Sequence, residues 1–334
     1  MIGNDNSFFS IPIRPIKEGA LPTDRVASCE EQYFQHAQDL PEDVLRYVDA
    51  ATARCTRKAY HSDIRLFLTS GGAIPASPDS IARYLAAHAT SLCPVTLARR
   101  LIAIGKAHAS MGLPNPCLTD VVKATMRGIY RIHGRPARQV RPVLPHDITL
   151  MLPHMTGTRG LRDRALILVG FAGGLRRSEL VALMYDDIEF VSDGFTLTIR
   201  RSKTDQSGAG RTIAIPFARS HACPVKAISA WLEQAAITGG PVFRMINKGG
   251  RIGKKPLSDQ SVAQIVKRYT SRIGLNSTHY AGHSLRAGLI TSAAQAGVSG
   301  WMIRQTTGHR SDAMLGRYIR EADLFQRNAV HAVL

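Results

Sequence analysis

Near the end of the chain stand His283-Ser284-Leu285-Arg286, then Gly308-His309, then Tyr318. Two imidazoles, a guanidinium and a phenol in that order suit attack of a protein hydroxyl on a phosphodiester. A tyrosine hydroxyl, with a reference pKa of about 10, is a weak nucleophile near neutrality and needs a base or an electropositive pocket. A histidine can act as the base. An arginine's planar fork can hold two non-bridging oxygens of a phosphate in flight without losing its proton. His283 and Arg286 are three residues apart, which on a helix places both on one face. Each feature alone has a plainer reading: His-x-x-Arg suits a solvated helix face, Gly-His a helix cap, and a helical tyrosine commonly packs its ring and exposes its hydroxyl. The ordered combination is much rarer than its parts.

A second group lies upstream, at Gly173-Gly174-Leu175-Arg176-Arg177-Ser178-Glu179-Leu180. The glycine pair follows an apolar helical run, Ala165 to Ala172, and a new helix is expected to begin with two arginines on its first turn. Free N–H groups and the helix dipole would favour an anion there. Beyond it, residues 195–199 and 212–215 alternate as strands around a polar, glycine-rich turn at 206–210, which predicts a β-hairpin. Lys203 sits near that turn.

These residues, in this order, resemble the tyrosine recombinases, also called the phage integrase family, and within it the Cre-like recombinases. The family's marks are an Arg in a Gly-Leu-Arg-x-Ser-Glu-Leu box, a hairpin Lys, His-x-x-Arg, Gly-His or Gly-Trp, and a nucleophilic Tyr. They fall here on Arg176, Lys203, His283, Arg286, His309 and Tyr318. Two departures stand out: Arg177 follows Arg176, so register alone selects the latter, and Ala287 follows Arg286. Lys254 and Lys255 are alternative positions for the lysine.

The resemblance implies a mainly α fold with a small β-sheet, arranged as a two-domain C-shaped DNA clamp. A helical SAM-like N-terminal domain would be joined to an α+β catalytic domain. It implies that Tyr318 attacks the scissile phosphate, leaving a 3′-phosphotyrosine and a free 5′-hydroxyl. Arg176 and Arg286 would hold non-bridging oxygens, and His309 would donate to one of them. Lys203 would protonate the leaving oxygen, His283 would assist the proton leaving Tyr318, and Glu179 would position the others. No cofactor and no catalytic metal are expected.

Composition agrees with a nucleic-acid partner. The 334 residues carry a formal charge of +18 and a pI near 10.2, a field suited to phosphate backbones. Residues 51–142 hold fourteen basic against three acidic side chains, a local charge of +11, whereas residues 1–50 come to −5. The basic surface therefore belongs to folded segments. The chain is expected to divide into an extension (1–40, partly disordered or contacting a neighbour), a helical DNA-binding domain (41–133), a basic linker (134–145), a catalytic domain (146–320) and a terminal helix (321–334).

Within the helical domain, Ser77-Pro78-Asp79 opens a helix through Ala89, and Thr119-Asp120 opens another that ends at Gly134. Leu97, Leu101, Ile104, His108 and Met111 recur as a core face, which leaves Arg99, Arg100 and Lys106 for the outside. In the linker, Arg135, Arg138 and Arg141 could track a phosphate backbone, as could Arg201 beside the hairpin. The amphipathic end, residues 322–334, either folds back or docks into a neighbouring protomer, and exchange between protomers is preferred.

Five scattered cysteines without Cys-x-x-Cys spacing support neither zinc nor a disulfide framework. With no signal-peptide pattern and no membrane-length apolar run, a reducing cytoplasm and the nucleoid are the expected setting. The expected partner is double-stranded DNA carrying a specific site, bound by a homotetramer that is monomeric or weakly associated when free. A type IB topoisomerase and a catalytically inactive DNA-binding protein are the competing readings.

Overall fold

The computed structural model describes residues 41–136, 139–202 and 209–309, together with 311, 315 and 316. Residues 1–40 and the terminal helix expected over 321–334 lie outside them. The chain divides into two compact units between Ala137 and Arg138.

The described part of the first unit is helical: α1 (Glu42–Ala50), α2 (Arg54–Thr69), α3 (Pro78–His88), α4 (Pro94–Ser110) and α5 (Asp120–His133). The helix starts follow local chemistry. The Ser77 hydroxyl accepts the Ser80 N–H at 3.2 Å, with proline at the first helical position and Asp79 in the first turn. Phe67, Ile81, Leu85, Leu97, Ile104 and Val122 fill the core between the helices. His108 is buried with them, accepting the Ala76 N–H on Nε2 at 2.9 Å, so its Nδ1–H donates to the Ile104 carbonyl at 2.8 Å.

Arg100 departs from expectation. It lies inside the bundle, 6% exposed, where its guanidinium donates to the Tyr84 hydroxyl and stands 3.7 Å from Asp63 Oδ1. Arg99 grips the same carboxylate with two bonds of 2.7 and 2.9 Å. Asp63 is 1% exposed, and a carboxylate withdrawn from water to that degree is stable only when paired. Two successive arginines of α4 meet that need, so Arg100 is a structural cation and not part of an outer basic face.

The second unit begins with α6 (Pro145–Met151) and α7 (Gly157–Ala172), then α8 (Arg177–Ala182). A three-stranded antiparallel sheet follows, β1 (Ile188–Val191), β2 (Gly194–Ile199) and β3 (Arg211–Pro216), in that spatial order. Next come α9 (Pro224–Gln234), a two-stranded ribbon of β4 (Arg244–Ile246) and β5 (Ile252–Pro256), and the helices α10 (Asp259–Arg272), α11 (His283–Gln295) and α12 (Gly300–Thr307). The hairpin of β2 and β3 pairs Leu197 with Ile213 and Ile199 with Arg211. The added strand β1 is short, and three of its four residues are exposed, Phe190 and Val191 among them.

Trp231, Leu166, Ile167, Phe195, Phe243 and Met151 centre the core of this unit. The later half of the linker belongs to it as well. Val143 is fully buried, the Arg141 N–H donates to the His279 carbonyl at 2.8 Å, and the Val143 N–H donates to the Ser284 carbonyl at 3.0 Å. A side chain at Gly288 would place Cβ 1.9 Å from the Val143 oxygen. That glycine lets the incoming chain lie directly against α11.

Candidate active site

α11 starts at His283, so His283 and Arg286 leave its first turn on one side. The Arg286 guanidinium is held almost wholly inside the unit, 1% exposed. Its Nη1 donates to the Gly174 carbonyl at 2.7 Å. The carbonyl is in place because α7 ends in a Schellman turn: the Leu175 N–H reaches the Gly170 carbonyl at 3.1 Å and Gly174 takes φ +54°. A Cβ there would also come within 2.8 Å of Thr307.

The same turn delivers Arg176, which caps α8 from just outside it. Glu179 accepts the Arg176 backbone N–H at 3.0 Å and its Nη1 at 2.6 Å. The N–H of the residue that caps α8 is thereby bound to a protein carboxylate, which also holds the Arg176 side chain. Arg177 turns away to pair with Asp259 of α10 at 3.1 Å. Of the two adjacent arginines, Arg176 is the one beside Glu179, His283 and His309.

Two site residues were not singled out in the sequence. Arg211, at the start of β3, donates through Nη2 to Glu179 Oε2 at 3.1 Å and through Nη1 to the Thr307 carbonyl at 2.9 Å. Thr307, the last residue of α12, holds His309 through its hydroxyl, 2.7 Å from Nδ1. Between them, Gly308 adopts φ +66°, and a Cβ on it would lie 1.7 Å from Arg211 Nη1. Glycine precedes His309 because the guanidinium occupies the space of a side chain.

Arg286 Nη2 lies 3.0 Å from His309 Nε2 and 3.1 Å from Nδ1. Burial, then Arg286, Arg176, His283 and Arg211, push the His309 imidazole down to about 3, so the ring is neutral among these groups. His283 stands exposed at the rim. Crowding of its inner side, then Arg286 and Arg176, hold it below the usual histidine range. Arg176 and Arg211 thus share the one carboxylate of Glu179, while Arg286 adds a third guanidinium beside His309, a setting that rejects further cations and suits a phosphate.

The phage integrase family model matches residues 143–324, which spans every residue of this cluster. The chain belongs to the phage integrase family. It is 40% identical over 264 residues to an integrase/recombinase XerD homologue from Selenomonas ruminantium, covering 77% of each chain. It is 24% identical over 270 residues to the Cre recombinase of Escherichia phage P1, covering 75% of this chain and 77% of that one. In fold it is similar to the XerH site-specific recombinase solved with a palindromic difH substrate after cleavage, with a TM-score of 0.58 at 14% identity over 93% of this chain and 88% of that one.

Placed on this phage integrase fold, the remaining expected residues separate. Lys203 and Tyr318 lie outside the described residues, as does Arg138. Lys254 and Lys255 are exposed on β5. Arg135, Arg141 and Arg201 are exposed, and Arg141 also hydrogen-bonds Tyr280. Lys106 is exposed with its ammonium 6.0 Å from the Tyr60 ring centroid. Arg99 is half exposed but committed to Asp63. Among the described residues no group of three or more His, Cys, Asp or Glu side chains could hold a metal ion, and no helix is long and apolar enough to cross a membrane.

Proposed function

We propose that this enzyme cuts and rejoins DNA strands at specific sites through a covalent 3′-phosphotyrosyl link to Tyr318. The observation that carries the reading is the clustering of Arg176 and Arg286 about His309, with Arg286 almost fully buried. Guanidiniums already oriented by protein hydrogen bonds are placed to meet the charge of a scissile phosphate. Arg176 and Arg286 hold the two non-bridging oxygens, and His309 donates to one of them. His283, at the exposed rim and held neutral by burial of its inner side and by Arg286 and Arg176, takes the proton from Tyr318. Lys203 protonates the departing 5′-oxygen. Glu179 positions Arg176 and takes no part in proton transfer, since its carboxylate is already shared by Arg176 and Arg211.

The bond energy stays in the phosphotyrosyl ester, and a 5′-hydroxyl from the partner strand reverses the step to exchange strands. The productive assembly is a homotetramer on two paired sites, with integration, excision or resolution as outcomes. The charge of +18 supplies affinity for the DNA backbone, with Lys106, Arg135, Arg138, Arg141 and Arg201 as backbone contacts and Arg99 limited by its pair with Asp63.

The test compares wild-type protein with Tyr318→Phe on fragmented DNA from the host replicon, followed by denaturation and recovery of covalently attached DNA. Adducts from the wild type alone, mapped to the Tyr318 peptide and to one repeated sequence, are expected. Adducts spread over unrelated sequences would favour a topoisomerase, and DNA binding without adducts would favour a binding protein.

A further inference from the structure

The hydrogen bonds around His309 fix which of its nitrogens carries the proton. The Thr307 hydroxyl has one proton and lies 2.6 Å from the Ile303 carbonyl, which can only accept. That proton is therefore spent on Ile303. The 2.7 Å contact between the hydroxyl and His309 Nδ1 must then run from the ring to the oxygen, so Nδ1 carries a proton. On the other side Arg286 Nη2, which can only donate, reaches Nε2 at 3.0 Å, so Nε2 of the neutral ring presents a lone pair. In this arrangement the 3.1 Å approach of Nη2 to Nδ1 is proximity and not a bond.

A lone pair at Nε2 is the wrong group to meet a phosphate oxygen. With Nδ1–H tied to Thr307, Nε2 can donate only when the ring becomes an imidazolium. We infer that Thr307 is a positioning residue that locks the His309 tautomer, making contact of His309 with the scissile phosphate depend on uptake of a proton.

The inference rests on the recombinase reading for the ligand and on hydrogen-bond geometry for the lock. The groups that set the proton's affinity are Arg286 and His283 from α11, Arg176 from the edge of α8, and Arg211 from β3. All four disfavour a cation at His309, and a bound phosphate opposes them. Removing the hydroxyl frees Nδ1, and the neutral ring can then move its proton to Nε2. Arg286 Nη2 remains within 3.1 Å of Nδ1 to serve the new tautomer without a shift in position.

The experiment measures single-turnover cleavage of a nicked suicide substrate carrying the protein's site, from about pH 6 to 9, for wild type, Thr307→Val and Thr307→Ser. Above its midpoint, a rate that requires one proton falls about tenfold per pH unit. The wild type and Thr307→Ser should share that limb, and Thr307→Val should move it upward by a unit or more. In parallel, long-range ¹H–¹⁵N correlation of histidine-labelled, DNA-free protein should show His309 as the Nδ1–H tautomer in the wild type and Nε2–H in Thr307→Val, with His309→Gln assigning the signal.

Superimposable limbs for wild type and Thr307→Val overturn the inference, as does an Nε2–H signal in the wild type. A shift in Thr307→Ser equal to that in Thr307→Val would do the same, because it would implicate the methyl group and not the hydroxyl. Failure of the wild type to cleave at all would instead remove the recombinase reading, and the phosphate role of His309 with it.

Discussion

Gly308→Ala is expected to destabilise the second unit through one identifiable neighbour. The added Cβ would sit 1.7 Å from Arg211 Nη1, 2.8 Å from Cζ and 3.3 Å from Cδ, so the guanidinium must leave. Its departure removes the donations to the Thr307 carbonyl and to Glu179, and hydrogen bonds to charged groups contribute about 1.5–3 kcal/mol each. The left-handed backbone at φ +66° adds roughly 1–2 kcal/mol for any residue with a Cβ. The single substitution should therefore cost about 3–5 kcal/mol, allowing for partial relaxation.

In an Arg211→Ala background the obstructing atoms are gone, and Gly308→Ala should cost only the roughly 1–2 kcal/mol backbone term. The coupling between the two positions is then on the order of 2 kcal/mol or more, well above the few tenths seen for independent sites. Urea unfolding followed by tryptophan emission reports this unit alone, because both tryptophans, Trp231 and Trp301, lie beyond residue 138 and Trp231 is fully buried. Additive costs within about 0.5 kcal/mol would refute the reasoning, since Gly308 and Arg211 would then not compete for the same space.

Arg176→Ala should lower the cleavage rate by about 10²-fold or more, whereas Arg177→Ala should stay within a few-fold because that side chain serves Asp259; phosphotyrosine trapping on one substrate compares them. The Tyr269 hydroxyl is pushed up to about 12 by burial and then by Asp163, whose Oδ2 accepts its proton at 3.1 Å. An unfolded tyrosine ionises near 10, so between about pH 10 and 12 the unfolded chain has lost a proton that the folded one keeps. Stability should fall with rising pH across that window by about 1.4 kcal/mol per unit. Tyr269→Phe should remove this slope in urea titrations, and an unchanged slope would assign it elsewhere.

The parts of the site that were legible in the sequence are those fixed by local spacing. His283 and Arg286 share a helical turn, Glu179 lies three residues after the arginine it binds, and the Gly173-Gly174 pair marks the turn that presents Arg176. Arg211 needed tertiary information, although β3 does carry a hint. Ile213 and Ile215 face the core, and with a period of two Arg211 lies on that same inward face. Thr307 stands four residues after Ile303 on the buried side of α12, where a hydroxyl reads as a back-bonded helix residue and nothing more. Arg100 illustrates the opposite conflict. Its charge argues for the surface, yet it falls three after Leu97 and four before Ile104, both fully buried. Spacing prevails because Asp63, distant in sequence, neutralises it.

Arg211 gives the hairpin a definite connection to the chemistry. Strand β3 pairs Arg211 with Ile199, and the Arg211 guanidinium reaches Glu179 and the end of α12. Glu179 fixes Arg176, while α12 carries the Thr307 hydroxyl that orients His309. Arg176 and His309, two of the groups proposed to touch the phosphate, are thus held by residues that do not touch it. Such prior orientation is how a site stabilises developing charge without reorganising during the reaction. It follows that substitutions at Arg211 and Thr307 should alter cleavage through Arg176 and His309 while leaving the +18 charge field that draws in DNA almost unchanged. Catalysis and affinity are therefore separable at these two positions, as they are not at the arginines that would hold the phosphate themselves.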